Sequence, residues 1–149
     1  MLIIILLFGP ISPLMAGDLS RTGPHPSLSP KEVVTIIMKA LQQNDLPNPD
    51  SGIKVTFNFA SPANKRATGP LARFTLMVKG PVYGTMINHR RVFFEKYKVD
   101  GKSARIDVIL VSSSGKTLRF RFGLSRQIGN RFDGSWMTDT VAPIKVVTL

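Results

Sequence analysis

Phe59-Ala-Ser-Pro-Ala-Asn-Lys-Arg-Ala-Thr-Gly-Pro-Leu-Ala-Arg-Phe74 places an aromatic anchor at each end of a run of breakers and capping residues. Pro62 and Pro70 fix two backbone angles, Gly69 permits a turn, and Asn64 and Thr68 carry side chains that bond nearby amides. The stretch reads as a rigid corner, where the chain leaves one apolar segment and starts another at a set angle. Turn chemistry alone accounts for such a cluster, without any reactive role.

Upstream of this corner, Ser29-Pro30-Lys31-Glu32 is a capping box with proline at the first helical position, so a helix is predicted to start there. Val33, Val34, Ile37, Ala40, Leu41 and Asn44 recur at three- and four-residue spacing and form its buried stripe. It should end near Asp45, ahead of Pro47, Pro49 and Gly52. In Gly52-Ile-Lys-Val-Thr-Phe-Asn-Phe59 two rules collide. Ile53, Val55, Phe57 and Phe59 alternate as in a strand, while Ile53, Phe57 and Ala60 also fit one helical face.

Downstream, Pro70 to Lys79 predicts a short helix with Leu71, Phe74 and Val78 inward, stopped by Gly80-Pro81. From Arg91 the period becomes two, and four strands follow: Arg91 to Val99, Ser103 to Val111, Thr117 to Gln127 and Ser135 to Val141. For the middle hairpin, only pairings that set Ile106, Val108 and Leu110 opposite Phe122, Phe120 and Leu118 put all six on one face. That register leaves Ser113-Ser114-Gly115 as the loop, with Gly115 at the left-handed position, and brings Asp107 opposite Arg121. A slip by one residue would turn the aromatics to water. Helices followed by an antiparallel meander define an α+β fold, with the sheet wrapped over the helices.

With 149 residues and 43% hydrophobic content, the chain describes one globular domain with a short appendage. The domain is expected over residues 29–143, with a C-terminal tail at 144–149. The net charge is +11, and residues 1–28 contribute only Asp18 and Arg21 to it, so the excess belongs to the folded part. A basic balance favours anionic partners, yet the basic residues are scattered and fit an ordinary solvated surface equally well. Cysteine is absent, which excludes disulfide frameworks, thiolate nucleophiles and sulfur-based zinc sites. His25 and His89 are far apart, so no metal site is expected, and no cofactor motif is present.

At the N-terminus, Leu2 to Phe8 is an unbroken apolar run followed by Leu14-Met15-Ala16 and Gly17. It is too short to span a bilayer and reads as a signal segment over residues 1–16, with a flexible Pro/Ser linker over 17–28. An extracytoplasmic or secreted location is the expectation. The tail of an organellar targeting sequence, and hence the plastid, is the alternative.

Ser-Pro-Lys-Glu-Val-Val at 29–34, Phe-Ala-Ser-Pro-Ala-Asn at 59–64, Thr-Gly-Pro-Leu-Ala-Arg-Phe at 68–74, Leu-Ser-Arg-Gln at 124–127 and Trp-Met-Thr-Asp at 136–139 together resemble an uncharacterised family of bacterial and plastid proteins. That family is similar to the nuclear transport factor 2-like superfamily of cone-shaped α+β domains. The resemblance covers residues 29–143 and implies a helical layer closing one side of a bent sheet, so residues 53–60 are assigned to a helix despite their alternation. Family members often carry cysteine and glycine where this chain has Ser135 and Thr140. No activity is attached to the family, and the superfamily holds isomerases, dehydratases and non-catalytic binders, so fold does not select among them.

The candidate chemistry follows from the strand patterns. Glu95 lies between Phe93 and Tyr97, and a carboxylate on an apolar face is a potential general base; an edge-strand charge is the commoner explanation. Asp139 alternates with Met137 and Val141, and His89 is the third catalytic candidate. Phe59, Asn64, Phe74, Tyr83, Gln127 and Trp136 are the expected pocket residues, although a tryptophan in such a place is most often core. Arg105, Arg119 and Arg121 are expected on the exposed sheet face, with at most weak, sequence-independent polyanion binding. Three functions fit: a non-catalytic pocket domain for a small ligand or partner protein, an acid/base isomerase or lyase, or a basic-surface adaptor for nucleic acid or membrane. A homodimer is compatible with each.

Overall fold

The computed structural model describes residues 22–146. The signal segment expected at 1–16, the first part of the linker and the last three residues of the tail lie outside them. Helix α1 (Pro30–Gln42) begins where its capping box predicts: Glu32 N–H donates to the Ser29 hydroxyl at 3.2 Å, and the Ser29 amide donates to the Glu32 carboxylate at 2.7 Å. Its inner stripe, including Val33, Val34, Ile37 and Leu41, is fully buried. Leu28, just ahead of the cap, packs against the same core.

Helix α2 (Ser51–Asn58) resolves the collision of patterns in favour of helix. Its first amides are satisfied by Asn44, two residues past the end of α1: Gly52 N–H donates to the Asn44 carbonyl at 2.9 Å and Ile53 N–H to Asn44 Oδ1 at 3.0 Å. Ile53 and Val55 point in different directions from the helix axis, yet both are buried. A helix covered on more than one side has no need of a single apolar stripe, so strand-like alternation misleads here.

The stretch from Phe59 to Phe74 is more than a corner. Ser61 caps a seven-residue helix, α3 (Pro62–Thr68), by accepting from Asn64 N–H at 3.2 Å. The signal was the Ser-Pro pair that also opens α1. A cis Gly69–Pro70 bond then leads into α4 (Leu71–Val78), whose Phe74 and Val78 face inward. Lys79 bonds to Asp50 at 2.7 Å and ties the end of α4 to the start of α2. A 3₁₀ turn (Tyr83–Met86) completes the helical layer.

Strands β1 (Arg91–Asp100), β2 (Ser103–Val111), β3 (Thr117–Arg126) and β4 (Trp136–Ile144) form one antiparallel sheet in sequence order. The expected β2–β3 register is present: Ile106 pairs with Phe122, Val108 with Phe120, Leu110 with Leu118 and Asp107 with Arg121. Gly115 has φ +86° in the loop, as a three-residue connection demands. Phe120, Phe122, Ile106 and Val108 are buried with the helical residues in one core, so the architecture is α+β with helices on one sheet face.

Two β-bulges alter what strand alternation predicts. Phe94 and Lys96 face adjacent residues Val108 and Asp107, so Glu95 is an extra residue in β1. Thr140 and Thr138 face adjacent residues Gly123 and Leu124, so Asp139 is an extra residue in β4. Both carboxylates singled out from the sequence are thus bulge residues, and bulges re-aim side chains. The outer edge of β4 is occupied at one end, where Ala60 forms a parallel bridge with Thr138 and Ser61 N–H donates to the Thr138 carbonyl at 2.8 Å. Among the described residues no helix is long and apolar enough to cross a membrane.

Candidate functional site

Because Phe59–Ser61 pins the chain to β4, α3 and α4 stand off beside that edge strand, and a cavity of 460 Å³ opens between them, β4 and the 3₁₀ turn. Each wall follows from local sequence. On α3, Ala63 with Ala67 and Asn64 with Thr68 are four apart, so one helical face with two small side chains is turned to the space. On α4, Phe74, Met77 and Val78 repeat at three and four residues. Leu41 and Met86 contribute further apolar surface, and β4 lines the cavity with four consecutive residues, Thr138 to Val141.

The polar groups of this wall are almost all engaged within the protein. Asn64 Nδ2 donates to the Thr138 carbonyl at 3.0 Å, and the Thr68 hydroxyl donates to the Asn64 carbonyl at 2.8 Å. The Tyr83 hydroxyl donates to the Val141 carbonyl at 2.8 Å, the Thr138 hydroxyl to Phe59 O at 3.1 Å and the Thr56 hydroxyl to Gly52 O at 2.9 Å. Asp139 differs. It is half-buried, it is the one charged side chain of the lining, and among the described residues its carboxylate has no hydrogen bond or ion pair. Chemically, the site is an apolar chamber whose β4 side carries one unpaired carboxylate, Asp139, and the hydroxyl of Thr140.

Of the residues expected from sequence, Asn64, Phe74, Tyr83 and Asp139 meet in this cavity. Phe59 is instead completely buried and Trp136 is 9% exposed within the main core, outside the cavity lining. Gln127 follows β3 and bonds Ser125 Oγ at 3.1 Å. Sequence reasoning missed Ala63, Ala67 and Thr138; the Ser61-Pro62 cap signals where α3 starts but not which of its residues, or of β4, border the space.

Glu95 does not lie on an apolar pocket face. It lies with Phe93 on the outer side of the sheet, where it pairs with Arg119, and the bulge turns Tyr97 to the other face. Asp107, 1% exposed, sits under the same group and accepts two bonds from Arg121 at 2.8 and 2.9 Å. The bonded Arg121 guanidinium, with Arg119 and Arg105 near it, holds the Asp107 carboxyl below its usual range against the opposing effect of burial. Arg105, Arg119 and Arg121 therefore share the outer face, but two of the three are already committed to carboxylates.

His89 lies apart from the cavity lining, 2% exposed, and its Nδ1–H donates to the Met86 carbonyl at 2.8 Å. Its Nε2 has no partner among the described residues. Burial pushes its pKa below the ordinary imidazole value, and the Met86 bond only partly opposes this. The unfolded chain gains a proton near pH 6.5 that the folded chain resists, so the contribution of His89 is complete above that pH and falls as pH drops below it. Urea midpoints should hold steady from pH 8 to 7 and decline from 6.5 toward 5, with a shallower decline in His89→Gln. Identical pH slopes for the two proteins would remove His89 as the cause. No group of three His, Asp or Glu side chains suited to a metal ion occurs among the described residues.

No curated protein matches the chain. Residues 28–146, from Leu28 before the α1 cap to the last described residue, match the family model described as Domain of unknown function (DUF4864), and the chain belongs to that family.

Proposed function

We propose that the domain binds a small, mostly apolar ligand in the cavity between α3, α4 and β4 and does not catalyse a reaction on it. The observation that carries this reading is the wall itself: 460 Å³ of space, within the range of ligand sites, bounded by apolar side chains and by polar groups that, Asp139 and Thr140 apart, are engaged within the protein. Helices on one face of a four-stranded antiparallel sheet support placing the fold among the cones of the nuclear transport factor 2-like superfamily. An acid/base isomerase or lyase is the second reading, favoured by Asp139 and Tyr83 sharing the cavity. Against it, the Tyr83 proton is bonded to Val141 O, and His89 and Glu95 lie elsewhere, so no proton donor converges with the carboxylate.

Nile Red, a neutral dye whose emission rises in apolar surroundings, tests the chamber. Ala67 is exposed at the cavity mouth, so Ala67→Phe fills space without entering the core. Saturable one-to-one binding to the parent protein, weakened about tenfold or more in a normally folded Ala67→Phe variant, is the expected result. Dye binding that ignores this substitution would place any ligand elsewhere and sink the proposal.

A further inference from the structure

We infer that the cavity takes a cationic amphiphile, an apolar body bearing an ammonium or guanidinium group that seats against Asp139. This rests on the ligand-binding reading above and names its ligand class. Charge at the cavity runs against the trend of the chain. Twenty lysines and arginines outnumber nine acids in the sequence, yet among the described residues no basic residue lines the cavity and one acid does.

Four basic residues adjoin lining residues in sequence: Arg66 and Arg73 are exposed and make no hydrogen bond or ion pair among the described residues, whereas Lys65 and Lys79 are held elsewhere. Lys65, between Asn64 and Ala67 on α3, donates to the Asn58 carbonyl at 3.3 Å and stacks on Phe57 and Phe132. Lys79, next to Val78 on α4, is paired with Asp50. On the outer sheet face Asp107 is matched by Arg121 and Glu95 by Arg119, while the exposed Asp100 at the end of β1 has no ion pair among the described residues. Asp139 has no such match among the described residues.

Its position is also specified by backbone. The bulge at Asp139 inserts one residue between Thr138, whose carbonyl is held by Ser61 and Asn64, and Val141, whose carbonyl is held by Tyr83. The carboxylate is therefore carried on a segment anchored at both sides, in a lining that is largely apolar and whose hydroxyls, the neighbouring Thr140 apart, are engaged within the protein. A partly desolvated carboxylate favours a charge-assisted donor over a neutral one, because the bond to a cation is about twice as strong. Fatty acids and other anionic amphiphiles would meet a like charge instead.

The experiment is displacement of Nile Red by three probes of equal chain length at about 0.15 M salt, where fields beyond roughly 8 Å are screened. Octylammonium should displace the dye at concentrations about tenfold below octanol, and octanoate should be the weakest. The net charge of +11 would favour octanoate at a nonspecific greasy surface, so this order is diagnostic. Asp139→Asn is nearly isosteric and removes no internal bond of the described residues; it should equalise octylammonium and octanol while leaving octanol unchanged. If octanol matches or beats octylammonium on the parent protein, or Asp139→Asn keeps the cation preference, the cation assignment fails while the apolar chamber stands. If no probe displaces the dye, or the dye does not bind, both fail together.

Discussion

Trp136→Ala is expected to lower the unfolding free energy by about 3–5 kcal/mol, as truncation of a packed aromatic does. Trp136 opens β4 and is 9% exposed within the cluster that contains Phe120, Phe122 and Leu124. Truncation would remove the indole's contacts and leave a void between the sheet and the helices, which a close-packed interior fills only in part. Because the indole belongs to the core and not to the cavity wall, Nile Red affinity of the folded fraction should change much less than stability does. Trp136→Phe, which keeps most of the apolar volume, should recover a large part of the loss. Trp136 is the only tryptophan, so its fluorescence reads the same fact without mutation. Native emission should lie to the blue of free tryptophan and move red on unfolding. Emission already at the water value, unchanged by urea, would show the residue exposed and contradict the packing described.

The parts of the fold legible in the sequence are those decided by short-range chemistry. The capping box at Ser29–Glu32 satisfies amides within four residues, so it can be read without knowledge of the tertiary structure, and α1 starts there. The β2–β3 register is equally local: three apolar residues on each strand must share a face, and Gly115 must take a positive φ. For α2 the pattern pointed toward a strand, because a helix buried on several sides is released from the 3.6-residue period. There the family resemblance supplied the helix and the residues alone did not.

The candidate site was legible in composition but not in placement. Asn64, Phe74, Tyr83 and Asp139 meet in one cavity, whereas Gln127, Trp136 and Phe59 belong to a loop or the core. A β-bulge leaves no composition signature, since one extra residue in a strand looks like any other residue. Strict alternation puts Phe93, Glu95 and Tyr97 together; the bulge instead pairs Phe93 with Ile109 and Tyr97 with Ile106, on opposite faces. The same device on β4 separates Asp139 from the alternation of Met137 and Val141. Cavity membership at Ala63 and Ala67 depends on what α3 leaves unfilled, a property of packing that no local motif encodes.

Gly52→Ala should be as costly as the loss of the tryptophan, for the opposite reason. In the sequence Gly52 reads as part of the break after α1, but it lies inside α2, at the closest approach to α1. A Cβ built there would stand 2.1 Å from the Ala40 carbonyl oxygen, 2.7 Å from its carbon and 2.9 Å from Asn44 Cα. All three are backbone atoms, so no side chain can rotate away. Alanine gains up to about 1 kcal/mol of helix propensity over glycine. Relief of the clash, however, requires the two helices to separate, which stretches the Gly52–Asn44 and Ile53–Asn44 bonds that satisfy the start of α2. Overpacking and the loss of buried hydrogen bonds together outweigh the propensity gain, with a net destabilisation on the order of 3 kcal/mol. Thr56 on α2 forms part of the cavity wall, so Nile Red binding should weaken in the same variant. Gly23→Ala is the control: among the described residues nothing lies within 4 Å of its added carbon, and stability should stay within about 0.5 kcal/mol of the parent. A Gly52→Ala protein at least as stable as the parent would mean that propensity had won, and that α1 and α2 are not in the close contact on which this wall of the cavity depends.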